Sequence, residues 1–113
     1  MPLNISLLEE LCITPGPPGG EDPIRHIVKR EIEGLVDSMY ENPMGNIVAV
    51  KKGKEDKRVM AAAHMDEISF IITHIDKNGF ARFHTLGGFD PKTLTAQRVI
   101  VHGKKPLVGV MGS

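Results

Sequence analysis

The stretch VMAAAHMDEISFII, Val59–Ile72, decides how the rest of the chain is read. It begins small and apolar, places His64, Asp66 and Glu67 at its centre, and ends in a β-branched run. A buried charge without a partner is costly, so the three ionisable residues belong at the rim of a core or hold something. VMAAA reads as a short strand buried on both faces, its alanines letting helices approach closely. His64 then stands at the carboxyl end of that strand, where ligands collect in open α/β sheets. If the chain stays extended, His64 and Asp66 project to the same side, because alternate side chains share a face.

Upstream, Ser6 and Glu9 form a capping-box pattern, and Leu7, Leu8 and Leu11 repeat on one helical face, which predicts a helix near residues 4–12 with Cys12 packed at its end. TPGPPGG, residues 14–20, is too rich in proline and glycine for helix or central strand and reads as a rigid loop. It lacks the lysine and hydroxyl residue of a phosphate loop. Asp22 before Pro23 starts a second helix. Along it Ile24, Ile27, Val28, Ile32 and Leu35 keep a helical period, with Arg25, Lys29, Arg30 and Glu33 on the polar side. LVDSMYE and NIVAVKK then read as extended segments joined by the turn NPMG, and KRVMAAAH follows after the polar loop GKEDK.

Downstream the character changes. SFIITHIDKNGFARFHTL is two β-rich runs around Asn78-Gly79, the strongest short hairpin signal, and QRVIVHGKKPLVGVMGS repeats strand, turn, strand. The expected organisation is a helix-and-strand portion over residues 1–68 and a β-only portion over 69–113, within a mixed α/β layer arrangement. The chain stops beside an active strand pattern, from which an architecture continuing past Ser113 is expected.

Bulk composition excludes several classes. Fourteen basic and fourteen acidic residues cancel, so no overall field draws this chain to nucleic acid or to anionic membranes. No apolar run approaches the roughly 20 residues a membrane helix needs, and the amphipathic, acidic start has no basic leader pattern. One cysteine rules out an internal disulfide. These readings together place the protein in the cytoplasm.

An imidazole beside a carboxylate suits a metal site in which one ring nitrogen binds the cation and the other donates to the acid. Zinc and cobalt both fit that ligand type. H-x-D is short, however, and a structural histidine bonded to a neighbouring acid gives the same pattern. His26 lies beside the apolar stripe and reads as solvated, and His74, His84 and His102 sit in separate β runs without a second ligand at metal spacing.

LCITPGPPGGEDPIR, MGNIVAVKKG, AHMDEISFIITHID, GGFD, QRVIVHG and GVMGS occur in that order. In this combination the chain resembles the cytoplasmic co-catalytic metallo-aminopeptidases that assemble into hollow tetrahedral particles, including the glutamyl and deblocking aminopeptidases; some members carry a cellulase or endoglucanase label. The resemblance departs at Pro18, Pro43 and Ser69, where such proteins commonly show serine or alanine, aspartate, and glycine respectively. It implies the first part of a mixed-sheet catalytic domain leading into an inserted β-barrel dimerisation domain that begins just after HMDE. It also implies two divalent cations, zinc or cobalt, with a bridging carboxylate and a glutamate base. His64 would be a ligand to one cation, and Asp66 the orienting acid that is this chain's catalytic contribution. The bridging aspartate, the base, the other carboxylates and a second histidine would follow Ser113. The implied function is removal of N-terminal residues from short peptides by a homo-oligomer of dimers forming a twelve-subunit particle, with the 113-residue chain inactive alone. The contrasting reading is a non-catalytic β-rich interaction module in which residues 69–113 pair with a partner's strands.

Overall fold

The computed structural model describes residues 3–112 and divides into two compact units, Met1–Phe70 and Ile71–Ser113. In the first unit, helix α1 spans Ile5–Ile13 and helix α2 spans Asp22–Ile32, followed by a 3-10 turn at Glu33–Leu35. The first cap differs from the expected one. Asn4, not Ser6, caps α1 by accepting the Leu7 N–H, so Ser6 falls inside the first turn. Cys12 is exposed, not packed, because α1 buries none of its residues. Pro23 lies in the first turn of α2, where a missing N–H has no cost.

Strands β1, Ser38–Glu41, and β2, Ile47–Val50, pair antiparallel with Met39 opposite Ala49 and Tyr40 opposite Val48. Their turn is organised by Asn42, whose side chain accepts from the backbone N–H groups of Met44 and Asn46. Helix α2 packs against β2 and buries Ile24 and Ile27. Arg25 is buried beside them, at 9% exposure, although the sequence sets it on the polar side. Its guanidinium is accommodated because it is paired: Nε donates to the Gly45 carbonyl, and Asp22, Glu41 and Glu21 surround the other nitrogens.

The strand expected at KRVMAAAH is not formed. Residues 57–68 have no regular secondary structure, and Val59 and Met60 are 95% and 89% exposed. A strand needs a neighbour to complete its ladder, and among the described residues no strand pairs with this segment. The mixed sheet is likewise absent among the described residues, whose strands form three separate two-stranded sheets.

In the second unit, strand β3, Ser69–Ile75, which crosses the division between units, is joined to β4, Ala81–Leu86, by a turn in which Asp76 accepts from the N–H groups of Asn78 and Phe80. Strands β5, Arg98–His102, and β6, Pro106–Val110, pair antiparallel with Ile100 opposite Val108. Both hairpins are the ones the sequence calls for. Pro106 sits at the start of an end strand, where its missing donor removes no central ladder bond.

Little of the apolar surface is covered. Only Ile24, Ile27 and Met111 are buried hydrophobic residues among those described.

Candidate functional site

His64 and Asp66 meet. Nδ1 of His64 lies 3.0 Å from the backbone carbonyl oxygen of Asp66 and 3.1 Å from its Oδ1. A carbonyl can only accept, so Nδ1 carries a hydrogen, and in the neutral ring Nε2 then keeps its lone pair. That is the tautomer a metal-binding histidine adopts. The ring is open to solvent, its side chain 85% exposed and that of Asp66 43%.

This contact forms on irregular backbone, so something other than a sheet must hold it. The Glu67 N–H donates to the Gly16 carbonyl at 2.9 Å, and the Gly16 N–H donates to Glu67 Oε1 at 3.1 Å. Gly16 can approach this closely because it lacks a side chain: a Cβ there would lie 2.9 Å from Ile24 Cγ2 and 3.3 Å from the Met65 carbonyl oxygen. The proline-glycine loop is thereby wedged between α2 and the H-x-D segment.

A cleft of about 110 Å³ opens beside the pair, lined by Glu21, Arg25, Met44, Asn46, His64 and Asp66 among others. Glu21 reaches the loop, its Oε1 accepting the Gly19 N–H at 2.8 Å. A larger hollow of about 650 Å³ lies along Ala49–Val59. Its lining of mixed lysine, arginine, glutamate and aspartate is that of a solvated loop, and it does not include His64.

Among the described residues no group of three or more His, Cys, Asp and Glu is placed to hold a metal ion. His64 fits as one ligand, and a protein metal site takes three or four. His26, His74, His84 and His102 are all exposed. Gly16, Arg25 and Glu67 shape the site but escape a reading of the sequence. Glu21, Asp22 and Arg25 do stand at helical ion-pair spacing, which is a legible signal. The contacts of Arg25 with Gly45 and of Glu67 with Gly16 span 20 and 51 residues, and no local pattern encodes them.

A family profile described as M42 glutamyl aminopeptidase matches residues 45–113. The lysyl aminopeptidase of Pyrococcus furiosus is 38% identical over 94 residues, covering 82% of this chain and 27% of that protein. Among solved structures, a TET aminopeptidase from a marine sediment Thaumarchaeota archaeon matches with a TM-score of 0.90 at 32% identity, over 96% of this chain and 31% of its own. The TET1 peptidase of Pyrococcus horikoshii, described as assembling into a tetrahedron or a large octahedral shell, matches with a TM-score of 0.82 at 35% identity, over 96% of this chain and 33% of its own. The chain spans less than a third of the length of the curated relatives it matches.

Proposed function

The chain belongs to the M42 glutamyl aminopeptidase family, and we propose that it forms the first part of a metal-dependent aminopeptidase that removes N-terminal residues from short peptides. One observation carries the reading: His64, in the lining of a small cleft, presents its Nδ1–H to Asp66, which in the neutral ring leaves Nε2 to act as a ligand. In this reading His64 is a ligand to one of two divalent cations, zinc or cobalt, and Asp66 orients it. The remaining ligands and the general base come from chain beyond the 113 residues, and these residues alone do not turn over substrate.

Residues 1–68 are the opening segment of the catalytic domain, and residues 69–113 begin an inserted β-barrel used for dimerisation. The change to paired hairpins after Ser69 supports this division. So does the apolar surface left open on Ile100, Leu107, Val108 and Val110, which a completed barrel would cover. A twelve-subunit particle of dimers in the cytoplasm is the assembly this reading takes; the relative described as forming a tetrahedron or octahedral shell supports a closed homo-oligomer.

The test compares the complete gene product with its His64→Ala variant, assaying aminoacyl chromogenic substrates and bound metal. Loss of about one metal equivalent together with activity is the expected result. Retention of both in the variant refutes the assignment of His64. The same exposed hairpin favours a second reading, a non-catalytic module whose strands pair with a partner. Peptide hydrolysis by the complete gene product excludes it.

A further inference from the structure

The peptide unit between Asp66 and Glu67 is engaged at both ends. Its carbonyl oxygen belongs to Asp66 and takes the hydrogen of His64 Nδ1 at 3.0 Å. Its N–H belongs to Glu67 and is given to the Gly16 carbonyl at 2.9 Å. Because the unit is planar and its C=O and N–H point in opposite directions, fixing the N–H fixes the carbonyl. The Glu67 carboxylate closes the loop by accepting the Gly16 N–H, so that Gly16 and Glu67 hold each other through two hydrogen bonds.

We infer that Glu67 and Gly16 are positioning residues for the metal-site histidine: their reciprocal pair locks the Asp66–Glu67 peptide so that its carbonyl selects the Nδ1–H tautomer of His64 and leaves Nε2 free to ligate. This rests on the reading of His64 as a ligand. It assigns the task of holding the ring to a backbone peptide anchored from the proline-glycine loop as well as to the Asp66 side chain. Gly16 suits the role because its buried position against Ile24 and Met65 admits no side chain, so the anchor cannot retreat. An anchor of this kind is needed, since residues 57–68 have no ladder of their own to hold them.

The experiment uses the complete gene product, stripped of metal, labelled with 15N-histidine and observed by magic-angle-spinning NMR, with His64→Gln identifying the resonance. The unsubstituted protein should show one tautomer, protonated at Nδ1. Glu67→Ala should show a mixture and bind zinc about tenfold more weakly in a chelator competition, the loss typical when a ligand's supporting hydrogen bond is removed. Glu67→Gln keeps an oxygen acceptor for the Gly16 N–H and should restore both the single tautomer and zinc affinity to within about threefold. A single Nδ1–H tautomer and unchanged zinc affinity in Glu67→Ala overturn the proposal. If Glu67→Ala does not fold, Glu67→Met, which keeps the stem but has no oxygen acceptor, decides: a mixed tautomer upholds the proposal, and a single Nδ1–H tautomer overturns it. His64→Ala separates the two claims. If zinc affinity survives that change, the ligand assignment fails, while the tautomer of His64 still judges the role of Glu67.

Discussion

The Nε–H of Arg25 donates to the carbonyl of Gly45 at 2.9 Å and ties helix α2 to the turn between β1 and β2. Glu41, at the end of β1, adds a carboxylate 3.4 Å from the same guanidinium. One cation therefore serves helix, strand and turn together. Arg25→Met should destabilise the folded protein by about 1.5–3 kcal/mol, the range for hydrogen bonds to a charged group. Arg25→Lys should recover little of this, because an ammonium cannot donate as a planar fork. Urea midpoints of the complete gene product provide the check, and an unchanged midpoint in Arg25→Met would show that the cluster is only a surface arrangement.

Gly45 carries the other half of that contact. Its φ is +81°, and a Cβ would press into the Arg25 guanidinium. Gly45→Ala combines left-handed strain with a displaced arginine, so it should cost about 1–3 kcal/mol. Arg25→Met,Gly45→Ala should cost less than the sum of the single changes, because the steric part vanishes with the guanidinium. Strict additivity in that double-mutant cycle would refute the coupling.

Ser69 presents the opposite case. Its hydroxyl is buried and has no hydrogen-bond partner among the described residues. Removing an orphan hydroxyl relieves a desolvation penalty, so Ser69→Ala should raise stability by about 1 kcal/mol. A fall in the urea midpoint would mean that the hydroxyl has a partner in solution.

Asp66 holds the His64 ring by two oxygens, one from the side chain and one from the backbone. Asp66→Ala removes only the first. Zinc affinity of the complete gene product should therefore fall about tenfold, at the mild end of the range for supporting residues. A loss of a thousandfold or more in calorimetric titration would make Asp66 a direct ligand.

Glu10 and Arg30 join α1 to α2 through a two-bond fork, with Nη1 to Oε1 at 2.8 Å and Nη2 to Oε2 at 2.7 Å. The hydrogen bonds from Arg30 lower the Glu10 pKa, its positive charge adds to the effect, and partial desolvation opposes it. A carboxylate whose folded pKa is depressed contributes stability above its unfolded value. That contribution is lost as pH falls through the folded pKa. Carboxyl 13C NMR should give Glu10 a midpoint below an ordinary glutamate, and Arg30→Gln should move it up. An identical midpoint in both proteins would show that the fork does not persist in water.

The sequence by itself determined the local elements, because their signals lie within a few residues. Pro23 starts α2, the Ile24 and Ile27 spacing picks its buried face, and Asp76 with Gly79 turns the hairpin that Asn78-Gly79 signals. The meeting of His64 and Asp66 was legible for the same reason, the two residues standing two apart in the chain. Only the tertiary structure decided the burial of Arg25, the anchoring of the histidine segment by Gly16, and the failure of VMAAA to form a strand. Each depends on a partner distant in the chain, present for Arg25 and Glu67 and absent among the described residues for Val59–Ala63. Backbone pairing and charge compensation are properties of two segments at once, and a pattern read along one segment does not contain the other.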